Sequence, residues 1–404
     1  MMQNTWHFAA MDSLFFRDSR PMNAGESAWI ESMFPPTGHT LQGAIRTAIL
    51  SHLDADFQAF QNGEPCLPDG GSLKQALGDK DSLGKLSLSG PLLCQDGVPL
   101  YPVPLDLIKR KAQSDFDLLR PSDEAVTCDL GNIRLPVTNG SGLKALEGTF
   151  ISQEGMQLLL AGNATSKLQD SLYPLIGEQY EQNKPSLAYR EPKMGLARDK
   201  KSRMAEEGML YAIAPVRPRA GLTIAIQVTG VNTEHFPQTP LIQRLGGEGK
   251  LAHITITTPP PLPDKSFREE NGRLFFKLVL ITPARMPNAG WLPNGFTPVE
   301  NTTHSWDGTL EYSHAGNSDE EDDQPSQCAV RFNIISACIG KALKIGGWNH
   351  GRHHSKPVKS YVPAGSVYFC EADATQQHNV EQLHGAKIGS ETEYGFGQVL
   401  VGTW

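Results

Sequence analysis

Most features that would place this chain in a specialised class are missing or scarce. Its 404 residues hold six cysteines (Cys66, Cys94, Cys128, Cys328, Cys338 and Cys370) with no CxxC pair among them. Disulfide frameworks and structural zinc sites need clustered spacing, so the reading is reduced thiols in a cytoplasmic protein. No apolar run approaches the roughly 18 residues that a membrane helix requires. The start, MMQNTWHFAAMDSLFF, has no basic region ahead of an apolar stretch, so no signal peptide is expected. There is no P-loop, dinucleotide fingerprint, HExxH, nucleophile elbow or pair of catalytic carboxylates. Basic charge is also short. Lys plus Arg number 36 against 44 Asp plus Glu, for a net charge of −8, the wrong sign for an ordinary nucleic-acid binder.

The charge is unevenly spread. Glu311, Asp319, Glu320, Glu321, Asp322 and Asp323 lie in one short run without a basic residue. That run, read as solvated or disordered, carries most of the net charge. Two other segments are basic. REPKMGLARDKKSR (190–203) contains Arg190, Lys193, Arg198, Lys200, Lys201 and Arg203 against two acids. KALKIGGWNHGRHHSKPVKSY (341–361) contains Lys341, Lys344, Arg352, Lys356 and Lys359 and no acid, with Trp348 and Tyr361 interleaved. Cations beside aromatic rings suit an RNA strand, whose phosphates take the charge and whose bases stack. A solvated loop has the same composition, and both readings stand at this level. His350, His353 and His354 have no carboxylate or cysteine at useful spacing, so no metal and no cofactor is expected. His39 stands before an amphipathic stretch, where it is either a general base for RNA cleavage or a cap.

With 39 glycines and 29 prolines the chain is richer in turn formers than the usual ~12%. Its patterns predict strands at 5–16, 208–214, 221–229, 245–257, 273–283, 366–372 and after 389. Helices are predicted at 40–53, capped by Thr40, and at 238–245 and 379–386, with helical character at the end of 330–344. Residues 54–187 read as irregular, with short strands at 98–104 and 157–161. TPPPLPDKS (258–266) reads as a linker. Each half opens on an aromatic strand and closes on a short helix, a glycine-rich turn and a last strand. This order predicts an α+β protein of two ferredoxin-like (RRM-like) domains. They span 1–257, with a large insertion about 54–207, and 267–404. Each would present an open four-stranded sheet, a surface suited to RNA. The turns at Gly246, Gly247 and Gly249 and at Gly389, Gly395 and Gly397 either cradle phosphate or simply connect tightly.

Several segments together resemble one family: DSLFFRDSRP (12–21), TLQGAIRTAIL (40–50), KMGLARDKKSRMAEEGMLY (193–211), LGGEGKLA (245–252), LVLITPARMPNAGWLP (278–293), GGWN (346–349), KPVKSYVPAGSVYF (356–369) and YGFGQVLVG (394–402). In order and nearly end to end they are similar to the third subunit of the Cmr complex, a RAMP-superfamily protein of type III-B CRISPR RNA-guided effectors in antiviral defence. The resemblance implies a non-catalytic subunit. It would hold the 5′ tag of the guide RNA, pair with the large polymerase/cyclase-like subunit and touch the adjacent backbone subunit. It implies that 193–207 is a projecting thumb-like hairpin and that the GAIR helix and the glycine turns face RNA. The RNA-binding residues expected on this reading are Arg46, Lys193, Arg198, Lys200, Lys201, Arg203, Lys344, Trp348, Lys356, Lys359, Gly389, Gly395 and Gly397. The competing expectation is a metal-independent guide-processing endoribonuclease of the same superfamily using His39.

Overall fold

Alternation in TWHF sets the first strand, since successive strand side chains face opposite ways. The computed structural model describes residues 4–17, 29–110, 115–128, 131–138, 143–177, 186–199, 201–299, 305–312, 328–349 and 354–404. In the first half β1 (Asn4–Ala10) leads to α1 (Gly38–His52), β2 (Ser87–Gln95), β3 (Val98–Pro102), β4 (Thr149–Ser152), α2 (Gln153–Leu160) and β5 (Leu172–Pro174). A hairpin of β6 (Lys193–Arg198) and β7 (Ala205–Ala214) follows, then β8 (Leu222–Thr229), β9 (Leu241–Arg244) and β10 (Leu251–Thr257). The second half contains β11 (Arg273–Leu280), β12 (Trp306–Tyr312) and β13 (Cys328–Cys338). After these come the hairpin β14 (Leu343–Asn349) and β15 (His354–Tyr361), then β16 (Val367–Asp373), α3 (Gln377–Gln382) and β17 (Val399–Gly402). The protein is a strand-rich α+β fold with several antiparallel sheets and few helices among the described residues.

The first large sheet runs β5-β4-β3-β2-β8-β1-β10-β9. The second contains β11-β16-β13-β12, with β17 on the other side of β11. In both, the central four strands follow one spatial order: the second, third, first and fourth of the set. All their pairings are antiparallel. On one face of the first sheet Trp6, Phe8, Ile224, Ile226 and Ile254 pack against Leu41, Ile45 and Ile49 of α1. One face of the second packs Leu274, Phe276, Leu278, Tyr368 and Cys370 against Val380 and Leu383 of α3 and its extension. Its other face, Val279, Val367, Phe369 and Leu400, is buried under Tyr101, Leu107, Met156 and Leu159 from the first half.

Several expectations are corrected. The second sheet is not the open surface expected for RNA, because α3 and its extension cover one face and residues from the 54–187 stretch cover the other. Nor is that stretch wholly an insertion: β2 lies inside it and pairs with β8 from Leu222↔Gln95 to Thr229↔Ser87. Residues 157–161 fall at the end of α2, whose Ser152 hydroxyl accepts from the Gly155 N–H at 3.3 Å. Met156, Leu159 and Leu160 are buried at helical spacing, a pattern that a four-residue apolar window conceals. The predicted helix at 238–245 is the edge strand β9, paired with β10 from Leu241↔Ile254 to Arg244↔Leu251. Residues 330–338 are strand, 339–342 a connection without helix and 343–344 the start of β14, and Val330, Phe332 and Ile334 alternate inward. The first helix begins at Gly38, with Thr37 rather than Thr40 at the cap position and no side-chain cap bond. Beyond Glu311, which sits on β12, the acidic run lies outside the described residues.

Candidate nucleic-acid interface

The hairpin β6–β7 pairs with the short strand Trp29–Glu31 and with neither large sheet. Its turn is built by Asp199, whose carboxylate accepts from the backbone N–H of Lys201 (3.0 Å) and Ser202 (2.6 Å). These bonds hold the Asp199 pKa below the usual carboxylate range. The turn closes with Arg203 at φ +57° and its N–H on the Asp199 carbonyl at 2.9 Å. Lys201 and Arg203 are exposed at this tip, beside Met204 at 70% exposure, with Met194 at 73% farther down the hairpin. Lys193 is at the base instead, 3.4 Å from both Ser13 Oγ and Glu191. There Arg217 bridges Glu191 (2.7 Å) and Asp12, and Lys250 reaches Asp12 (3.4 Å) and Ser13 (3.0 Å). This network ties the hairpin to the 245–250 turn. Lys200 and the side chain of Arg198 lie outside the described residues.

The second basic segment is the two-stranded hairpin β14–β15. Trp348 is 50% exposed on it, and Lys344 donates to Ser360 across the strands. Lys356 and Lys359 turn toward the body of the protein. Burial lowers the Lys356 pKa, and Lys359 donates to the Glu391 carboxylate. His350 and His353 lie outside the described residues. His354 holds its own strand through Nδ1, 2.8 Å from the Ser355 carbonyl. Among the described residues no His, Cys, Asp and Glu are grouped to hold a metal.

Where α1 meets the closing turn of the second half, a charged cluster forms that the sequence did not announce. Glu391, at φ +62°, accepts from Lys359, the Tyr361 hydroxyl and Arg285 (3.1 Å), and His39 Nε2 lies 4.0 Å away. Burial works to raise the Glu391 pKa, but the bonds from Lys359 and Tyr361 outweigh it and the carboxyl titrates low. His39 packs its ring 4.2 Å from Tyr394 and 5.2 Å from Phe396, centroid to centroid. Burial, helped by repulsion from Lys356 and Lys359 and opposed by Glu391, lowers its pKa to about 4. It is a neutral packing residue at neutral pH. The only sequence signal for Glu391 was its place as an acid between Gly389 and Gly395, and nothing local joined it to Lys359.

Arg46, expected to face RNA, spends its guanidinium inside the fold. It donates to the carbonyls of Leu77, Ser82 and Asp79 (3.1 Å) and lies 5.7 Å over Phe60. Burial lowers its pKa to about 10. Its helical register points it at the 77–82 loop, which the sequence could not place. The closing glycines are corrected too. Gly395 and Gly397 are buried, and their N–H groups donate to Thr392 (3.0 Å) and Pro283 (2.8 Å). A Cβ on Gly395 would sit 2.2 Å from the Gly90 carbonyl oxygen, and one on Gly397 1.9 Å from that of Ile388. Those amides are therefore bonded within the second half rather than open to a phosphate, and Gly395 meets the first half through its close approach to Gly90. Gly389 alone is exposed. Lys387 completes this joint: buried, with its pKa lowered to about 8, it donates to Ser87 Oγ and the Leu88 carbonyl, both at 2.9 Å.

The family model for CRISPR-associated protein (Cas_Cmr3) matches residues 6–404. No curated protein matches the sequence. Solved structures give distant likenesses. A chain of the type III-B Cmr-beta complex bound to cognate target RNA and AMPPnP (state 1) is 14% identical, with 91% of this chain and 86% of that chain covered and a TM-score of 0.44. A chain of the Csm3-Csm4 subcomplex of the type III-A CRISPR-Cas interference complex is 12% identical, with 90% and 92% covered and a TM-score of 0.39.

Proposed function

The chain belongs to the Cas_Cmr3 family and is a subunit of a type III-B Cmr effector complex in CRISPR defence, and from that premise we propose that it is a non-catalytic subunit that holds the 5′ tag of the guide RNA and pairs with the large polymerase/cyclase-like subunit. The observation that carries the reading is the tip of β6–β7. Two cations, Lys201 and Arg203, stand exposed beside an exposed methionine on a hairpin separate from both large sheets. That combination serves a phosphodiester backbone and an unstacked base together. Trp348 on β14 adds an exposed ring on the other hairpin. We read each four-strand core as a ferredoxin-like unit, supported by the shared strand order and by α1 and α3 at alternate crossovers.

The absence of catalysis rests on His39. A general base for RNA cleavage needs a pKa near working pH and access to the 2′-hydroxyl. His39 is mostly covered, its ring against Tyr394 and Phe396 and its side chain 18% exposed, with its pKa lowered to about 4. The test is photo-crosslinking of a 5′-labelled guide in the reconstituted complex, followed by peptide mapping. Adducts within 193–211 and 343–361 and an intact guide are expected. Adducts confined to other subunits would remove the tag assignment. Metal-independent cleavage lost in His39→Ala would replace this reading with the nuclease.

A further inference from the structure

The small sheet that carries the β6–β7 hairpin has two unlike faces. Its strands are β6, β7 and Trp29–Glu31, side by side in that order. On the inner face Ile213 and Ile30 are buried with Phe15. The Tyr211 ring lies on that face over Gly195, where a Cβ would come within 2.2 Å of it. Alternate residues face the other way. There the register sets Met194 opposite Ala212 and Ala212 opposite Trp29, one row across three strands. Leu196 follows two residues along β6 on the same side. Trp29 and Leu196 are each 47% exposed, and Met194 is more exposed still. Single exposed apolar side chains are ordinary, but a contiguous set on one face marks a binding surface.

What this surface takes follows from its charge. The cations beside it are already paired: Arg190 meets Glu31 at 2.9 Å and Lys193 meets Glu191 at 3.4 Å. The row therefore offers an indole, a methyl floor and a thioether, with no free charge for a phosphate. Free charge stands at the tip, where the Lys201 and Arg203 side chains are paired with no carboxylate among the described residues. Four residues of β6 separate the row from the last ladder pair, Arg198↔Ala205, which is about 13 Å at the usual strand rise. A short single strand of RNA spans both, its phosphates at the cations and a base against the indole, whose ring stacks on any base. The thioether adds a polarisable contact. We propose that the Trp29–Ala212–Met194 row is a stacking platform for one unpaired base of the RNA strand whose backbone lies at the Lys201–Arg203 tip. This rests on the guide-binding reading of the tip and extends it to a tryptophan outside both basic segments.

Guide binding by the reconstituted complex, measured by filter binding over a range of salt concentrations, separates the two contacts. A stacked base releases no counterions, so its share of the affinity is independent of salt, unlike a phosphate's. Trp29→Ala should weaken the guide about tenfold or more at every salt concentration with the slope unchanged, and Trp29→Phe should restore most of the loss. Met194→Ser, at a position too exposed to matter to folding, should weaken the guide several-fold in the same manner. Unchanged affinity in both Trp29→Ala and Met194→Ser would overturn the platform. The guide-binding reading itself would then stand or fall separately, on the salt slope of the Lys201→Ala, Arg203→Ala variant. A Trp29→Ala complex that loses another subunit but keeps its guide affinity would assign the face to a protein partner and overturn the proposal as well.

Discussion

In the first sheet the side of β1 turned away from α1 carries Thr5, His7 and Ala9. The corresponding side of β11 in the second sheet carries Lys277 and Val279, both buried. The rest of each sheet follows suit. Thr223, Gln227, His253 and Thr255 share the outer face of the first and are partly exposed, and His7 bonds Thr223 at 3.3 Å and Thr257 at 3.0 Å across it. The second sheet is buried on both faces and lies between α3 and the 100–172 segment. One strand order therefore serves two purposes. The first sheet keeps a polar face, while the second is an internal scaffold. A strand buried on both faces loses polar alternation and reads as a continuous apolar run, which is why RLFFKLVL differs from LTIAIQVT.

The largest test of this contrast pairs two substitutions. Phe369→Ala on the doubly buried β16 should cost about 3–5 kcal/mol, as large-to-small changes in closed cores do. Thr255→Ala on the outer face of β10 should stay within about 0.5 kcal/mol. Urea unfolding of both variants reads the difference, and similar midpoints would break the comparison. The buried ion pair of Lys277 with Asp106 gives a related result. Lys277→Met alone should cost about 3–5 kcal/mol because it strands the Asp106 charge. Joined with Asp106→Leu it should recover most of that stability.

The joint between the sheets comes next in size. At Gly395 both the φ of +88° and the Gly90 carbonyl 2.2 Å from a Cβ oppose any side chain. Gly395→Ala should cost about 3 kcal/mol from strain and overlap together. Gly43→Ala should stabilise α1 by up to about 1 kcal/mol, since a Cβ there meets nothing within 4 Å. If the two alanines shift the denaturation midpoint alike, the joint does not depend on that close approach.

Acid should loosen the same joint. His39, His7 and His384 all have pKa values lowered from 6.5, chiefly by burial, His39 to about 4. The folded state thus favours the neutral rings. Their contribution is fully present above the unfolded pKa of about 6.5 and is lost as pH falls through the folded values. For His39 the loss by pH 4 is on the order of 2–3 kcal/mol. The urea midpoint should fall between pH 7 and pH 4.5, and His39→Phe should flatten that slope. A wild-type midpoint independent of pH over this range would contradict the burial of these rings.

What could be read in the sequence was local. The amphipathic face of α1, the alternation in β1 and β8, the closing strand and both basic segments are legible because side-chain period and composition are short-range properties. Five things were not. The cover over β16 comes from 100–172, where the apolar pieces are too short to distinguish helix from strand. The edge strand β9 is fixed by pairing with β10, not by its own residues. Nothing in GAIR reveals that the 77–82 carbonyls lie within reach of Arg46. The partner of Lys359 is Glu391, 32 residues on, and the partner of Lys277 is Asp106, 171 residues back.

The smallest expected effect on stability is also the most direct test of the RNA reading, and it compares the two hairpins. Among the described residues neither the Lys201 ammonium nor the Arg203 guanidinium is paired with a carboxylate, whereas the Lys359 ammonium is held by Glu391. A cation already neutralised inside the protein releases no counterion when RNA arrives, so the two hairpins should differ in salt dependence rather than in affinity alone. Lys201→Ala with Arg203→Ala should leave the urea midpoint unchanged. In the assembled complex it should lower the salt slope of guide binding by about 0.7 for each phosphate left without its cation, so by up to about 1.4. Lys359→Ala should do the reverse. It should cost stability by stranding Glu391 while changing the slope by less than a single phosphate's share. Filter binding from 50 to 300 mM salt, ~50 mM at the low end being where such slopes are steepest, resolves the two. An unchanged slope in the tip variant would remove the hairpin from the guide-binding surface.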